Sequence, residues 1–240
     1  MLNKRGQITI FIIIAILIIA GIVLFFAFKQ NIIKKEISPQ EVVPIKNFVQ
    51  ECVEERAEIT IKIISEGGGY YFPPKFSTNS GVTYYLKDEK NYMPSKEKIE
   101  DEISENLEKN VLGCAGNFSD FPDYIIERGN LSIKTAILNN KIDLDVNYPL
   151  TIKKENSSAI INNFDIVVPA RLSIIYDSVQ QIVNSSSENL CLSCILIISL
   201  ENDLLIDTFD YENNTIIFTI LDNKSVINRE PLKWVFANKY

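Results

Sequence analysis

The chain contains no histidine. That removes the commonest metal ligand and the usual general base near neutral pH, and with it every Ser-His or Cys-His nucleophile system. Cysteine is sparse as well, four residues in 240, and only one C-x-x-C is present, whereas a strong zinc site needs two such pairs. The run Gly67-Gly68-Gly69 is not a phosphate loop, because no Lys-Ser/Thr follows it and the helical pattern lies before it rather than after it. Basic charge is also in deficit: 24 Lys and Arg against 31 Asp and Glu give −7. Lys4 and Arg5 are the only charges in the first 28 residues, so the remainder carries −9, 22 basic against 31 acidic. Nucleic acid demands a basic footprint and is excluded as a partner. A surface lying flat on anionic lipid is disfavoured for the same reason. No cofactor is called for.

One long apolar run is present. Ile8 to Phe28 holds 21 residues without a charge, and Thr9 is its single polar side chain. A helix of about 20 residues matches the roughly 30 Å of bilayer hydrocarbon. The run is longer than a signal-peptide core, and no A-x-A cleavage site follows it. The reading is a transmembrane helix over 8–28, after a basic leader-like segment over 1–7, with the lipid bilayer as partner. A connector over 29–43 then leads to a domain over 44–240, with a candidate subdivision near 116. Flanking bases are nearly balanced, Lys4 and Arg5 against Lys29, Lys34 and Lys35, so they do not orient the chain. Six N-x-S/T sequons, at Asn117, Asn130, Asn156, Asn184, Asn213 and Asn223, exceed the roughly two or three that composition alone gives and favour an extracytoplasmic domain.

The segment Lys4-Arg5-Gly6-Gln7-Ile8-Thr9 ahead of an apolar helix resembles the class III signal of archaeal type IV pilins and related surface proteins. The resemblance covers about 25 residues and implies cleavage between Gly6 and Gln7, with the span retained and the domain outside the cell. That family usually carries a Glu four residues after the Gln, where this chain has Phe11. The stretches Phe48–Cys52, Gly67–Tyr70, Val146–Leu150 and Phe236–Tyr240 are similar to a group of uncharacterised archaeal anchored proteins, which implies no activity.

Within the domain, a helix starts near Pro44, where a missing N–H is harmless. Ile45, Val49, Cys52, Arg56, Ile59 and Ile63 form its apolar stripe, and the glycine run ends it. Arg56 reads as an edge residue with a snorkelling head. Tyr70 to Pro94 is a loop with a short strand at 82–86. Its Tyr70, Tyr71, Phe72, Tyr84, Tyr85 and Tyr92 either fill the core beneath it or form a partner surface. Ser95 caps a second helix with Ile99, Ile103, Leu107 and Val111 inward and Cys114 at its end. Alternation in Leu131–Ile137 and Ile142–Tyr148 across Asn139-Asn140 is a β-hairpin with one wet face. Ile160–Val168 is a strand. Pro169 opens a helix carrying Leu172, Ile175, Val179 and Ile182, and 184–189 is a loop. Cys191–Leu200 is a short buried helix. Leu204–Phe209 and Thr215–Leu221 form a second hairpin, and Leu232–Phe236 is a last strand. Helices set apart from hairpin-joined strands indicate α+β with antiparallel sheet.

The cysteines carry two readings. Cys52 and Cys114 lie on helices that can pack on one sheet, and a disulfide between them, closing about 60 residues, stabilises by roughly 3–4 kcal/mol. Cys191 and Cys194 form a local disulfide, a pair of buried thiols, or a redox site, the last requiring the start of a helix after a strand. Asp143 and Asp145, with Asp203, Asp207 and Asp210, read as solvated strand faces rather than a glycosidase or calcium site. The expectation is an anchored, exported, non-enzymatic surface or envelope protein, pilin-like or adhesive, with self-association or other surface proteins as partners. The alternatives are an anchored thiol-disulfide protein using Cys191 and Cys194, and a recruiting module using the tyrosines.

Overall fold

The computed structural model describes residues 4–30, 35–185 and 189–240, with side chains in the first helix described from Ile13 to Phe26. Residues 1–3 of the leader-like segment, 31–34 of the connector and 186–188 of the serine loop lie outside the described residues. The mixed α+β class is as expected, with five helices and two sheets among the described residues.

Helix α1 (Lys4–Gln30) runs for 27 residues, about 40 Å at 1.5 Å per residue. Among the described residues no helix is long and apolar enough to cross a membrane. The side chains described on α1 span 13–26, about 21 Å of helix against the roughly 30 Å of a bilayer, and the expected span over 8–28 extends past them at both ends. All of these side chains are exposed.

Strand β1 (Lys35–Glu36) leads into α2 (Pro39–Glu66), which starts five residues before the expected Pro44. Pro39 takes the first turn after Ser38, and Pro44 is carried inside the helix. The buried stripe also differs from expectation. Ile45, Val49 and Cys52 are inward, but beyond them the buried apolar residues are Val53, Ala57, Ile61 and Ile64, not Ile59 and Ile63, and Arg56 is not buried either. The reason is a change of neighbour along the helix. Its first half packs with Ile152, Ala159 and Ile161. Its second half is tied to another sheet by Lys62–Glu230 and by Glu58 Oε2, which accepts from Asn228 N at 3.1 Å. Arg56 is half-buried, its Nε without a hydrogen-bond acceptor.

The first sheet contains β4 (Ile125–Arg128), β5 (Ser132–Ile137), β6 (Ile142–Lys154) and β7 (Ser157–Val168). Strand β7 covers one side of β6; the other side is shared end to end by β5 and β4. The handover falls at Tyr148-Pro149, where the β6–β7 register shifts, as expected for a proline that cannot donate to a ladder. The predicted hairpin is present, with Ile137 opposite Ile142. Strand β1 adds to the far edge of β7 in parallel.

The second sheet has the order β3-β2-β10-β9-β8, from β2 (Tyr84–Lys87), β3 (Lys90–Asn91), β8 (Leu205–Tyr211), β9 (Thr215–Ile227) and β10 (Glu230–Lys239). Strand β10 pairs with β2 in parallel, so the all-antiparallel expectation is corrected: two of the pairings are parallel. The β9–β10 turn at Asn228-Arg229 has φ of 50° and 66°, the left-handed pair that a tight hairpin requires.

Helices α3 (Lys96–Cys114), α4 (Leu172–Ser185) and α5 (Leu192–Asn202) complete the domain. Ser95 caps α3, its Oγ accepting from Lys98 N at 3.2 Å, and Ile99, Ile103, Leu107 and Val111 are fully buried. One core runs through Val49, Leu107, Leu144, Val179, Phe218 and Trp234. It joins residues on both sides of position 116, so the described domain is not divided there.

Candidate functional site

The four cysteines form two disulfides, Cys52–Cys114 and Cys191–Cys194. Cys52 is buried on α2 and Cys114 closes α3, their Cα atoms 6.1 Å apart. Nearby, Asn110 Nδ2 donates to Thr60 Oγ1 at 3.2 Å, a second clasp between the same helices. This bridge holds two amphipathic helices together, with Cys52 buried and Cys114 half-buried.

The second pair is built differently. Cys191 is the N-cap of α5, and its Sγ accepts from Cys194 N at 3.3 Å. Leu192 and Ser193 between the two sulfurs are exposed. The pair thus starts a helix, but the preceding element is α4, not a strand, so only half of the redox pattern is met. The expectation that α5 is buried is corrected. Only Ile195 and Ile198 are covered, whereas Leu192, Leu196, Ile197 and Leu200 are 54 to 73% exposed. Alone, an unbroken apolar run does not reveal that only one side has a neighbour.

The reading of Tyr84 and Tyr85 as partner surface is also corrected. Tyr85 is fully buried and Tyr84 nearly so. Tyr85 Oη accepts from Trp234 Nε1 at 3.1 Å and donates to Gly68 O at 2.9 Å; its ring stacks on Phe236 at 4.8 Å, and Phe236 stacks on Phe218 at 4.7 Å. Burial, offset in part by the Trp234 hydrogen bond, pushes the Tyr85 hydroxyl well above its ordinary pKa. Gly68 is required here: φ is +62°, and a Cβ would lie 2.7 Å from Val235 O. Tyr70 and Tyr71 are half-buried, Tyr70 against Phe76 and Tyr71 against Phe72. Only Phe72 of the set is strongly exposed.

A buried polar cluster escaped sequence reasoning. Arg171, just before α4, grips the carboxylate of Asp222 with Nε and Nη2, Nε–Oδ2 being 3.0 Å. Its Nη1 and Nη2 also donate to Asn202 O and Asp203 O at the end of α5, at 3.2 and 3.3 Å. Asp222 is fully buried and also accepts from Ser225 Oγ and Lys224 N. Burial pushes its carboxyl up, but the hydrogen bonds from Arg171, Ser225 and Lys224, with the Arg171 charge, outweigh burial and hold it below the usual range. The available signal was Arg171 as the only cation between Ile160 and Ser185. The cluster ties α4, α5 and β9 together; with four guanidinium N–H groups engaged, it is a structural clamp.

All six sequon asparagines are exposed, but the hydroxyl-bearing Thr215 and Ser225 of two sequons are buried in the fold. Gly6 and Gln7 lie in the backbone of α1. Asp145, Asp203, Asp207 and Asp210 are exposed, as expected, while Asp143 is half-covered and paired with Lys141 at 2.8 Å. Among the described residues no group of three or more acids or cysteines is placed to hold a metal ion. Comparison with protein families, with curated proteins and with solved structures gives no match.

Proposed function

We propose that this chain is a single-pass membrane protein whose α+β domain lies outside the cytoplasm and acts as a non-enzymatic surface or envelope component, pilin-like in its N-terminal anchor. The observation that carries the reading is α1: a continuous 27-residue helix enclosing the uncharged run Ile8–Phe28, with every described side chain exposed. In water such an apolar rod is strongly unfavourable at about 25 cal/mol per Å², so a lipid environment suits it. Two disulfides fit an oxidising compartment, and the exposed sequon asparagines agree. The resemblance of Lys4–Thr9 to a class III signal supports the pilin-like part, with self-association or other surface proteins as partners.

The test uses the fact that the described cysteines are all disulfide-bonded. Asn130→Cys supplies one exposed thiol on the domain. A membrane-impermeant maleimide should label it in intact cells, and the full chain should stay in membranes through alkaline carbonate extraction. Release by carbonate, or labelling only after lysis, rejects the proposal. Intact mass of the native protein reports cleavage between Gly6 and Gln7 together with glycans.

A further inference from the structure

We infer that Cys191–Cys194 is a thiol-disulfide exchange site for a cysteine thiol carried on an apolar peptide segment. The two disulfides differ in what they do for stability. Closing 62 residues between Cys52 and Cys114 removes far more freedom from the unfolded chain than a closure of sequence separation 3, because the entropy lost grows with loop length. The short bridge also joins residues that one helical turn already holds together.

Its position suits sulfur chemistry. A disulfide opens when a thiolate attacks one sulfur and the other leaves, and the better leaving sulfur is the one whose thiolate is stabilised. Cys191 Sγ has that support: the N–H of Cys194 at 3.3 Å and Ser193 Oγ at 3.5 Å. It also sits at the positive end of α5, whose first turn carries no acid. Cys194 offers the point of attack. It lines an open groove of about 530 Å³ between α4 and α5, with Ile197, Ile198, Gln181 and Asn184. Apolar walls with flanking amides and one carboxylate, Glu201, fit an uncharged peptide segment better than a small anionic thiol, and Leu196 and Leu200 are exposed beside them on α5.

The reaction balances without a further reagent. A client thiolate attacks Cys194 Sγ, the Cys191–Cys194 bond breaks, and its electron pair leaves on Cys191 as the thiolate. A second client thiolate then attacks the client sulfur of the mixed disulfide and expels Cys194. The client dithiol is oxidised to a disulfide, this protein is reduced to the dithiol, and the client's two protons pass to solvent or to the new thiolates. The inference stands whether or not α1 crosses a membrane.

The experiment uses the full chain in detergent micelles and a synthetic peptide with two cysteines flanked by leucine and phenylalanine, with glutathione as the small-thiol reference. Acid-quenched samples are mapped by mass. The Cys191–Cys194 bond should open at least about tenfold faster than Cys52–Cys114, and the transient adduct should sit on Cys194. Ile197→Ser, at an exposed position, should slow the peptide severalfold more than it slows glutathione. Cys191→Ser, which keeps a good N-cap, should retain the far-ultraviolet dichroism of the fold and abolish turnover of the peptide to its disulfide. Equal opening rates for the two bridges, an adduct on Cys191, or an Ile197→Ser effect equal for both thiols overturns the inference.

Discussion

Glu108 Oε1 accepts the backbone N–H of Ile133 at 2.8 Å, a contact between a helix side chain and the open edge of a strand. It is the first rung of a ladder. One turn back along α3, Ser104 Oγ accepts from Thr135 N at 3.1 Å, and one turn further Glu100 Oε1 accepts from Ile137 N at 2.8 Å. The 3.6-residue period of the helix and the two-residue period of the strand coincide there, because positions i, i+4 and i+8 rise about 6 Å per step, close to the repeat of alternate strand residues. An unpaired β edge invites association with another chain, and α3 closes this one.

Removing a rung should therefore cost stability and reopen the edge. Glu100→Ala and Glu108→Ala are expected to lose about 1–3 kcal/mol each, the penalty for an unsatisfied buried donor. Amide exchange at Ile137 and Ile133 should accelerate in the respective variants. Glu105→Ala, on the exposed side of the same helix, should change neither quantity.

Asp222→Ala should destabilise by about 3–5 kcal/mol, since it leaves the Arg171 guanidinium uncompensated, whereas Arg171→Met combined with Asp222→Leu should cost much less. Denaturant melts of the two variants decide the point. The pH dependence has a definite sign. Asp222 titrates below its ordinary value when folded, so its contribution is present above the unfolded carboxylate pKa, about 3.9. It is lost as pH falls through the folded value. Acid unfolding of the double variant should be correspondingly shallower.

At the alkaline end Tyr85 acts in the opposite direction. Its hydroxyl titrates well above the ordinary value when folded, so its contribution is complete below the unfolded pKa of about 10 and disappears as pH rises through the folded value. Tyr85→Phe should flatten the alkaline limb of the stability curve. It should also cost about 1–3 kcal/mol at neutral pH, because Trp234 loses its acceptor. Trp234 fluorescence follows both effects.

Replacing Cys52 and Cys114 together by alanine should lower stability by about 4 kcal/mol, and replacing Cys191 and Cys194 by about half that. Thermal melts of the two double variants under non-reducing conditions give the comparison. A larger loss from the second pair contradicts the assignment of structural weight to the first.

Periodicity was a sound guide where an element has one neighbour. Ile99, Ile103, Leu107 and Val111 read correctly because α3 turns a single face inward, and the Ile137–Ile142 hairpin because its alternation and Asn139-Asn140 turn are local signals. The α2 stripe failed beyond Cys52 because that helix changes partners along its length. Helix α5 was recognised as a helix, yet an apolar sequence carries no mark of which side finds a partner.

From residues alone came the absence of histidine chemistry, the acidic balance, the long uncharged run and the α+β class, since each follows from composition or from repeats a few residues long. Only tertiary structure decided that Tyr84 and Tyr85 are core, that Arg171 meets Asp222 across 51 positions, that β2 and β10 run parallel, and that Cys194 faces an open groove. Those outcomes depend on contacts between residues far apart in the chain, where loop closure and burial act together and no local pattern records the partner.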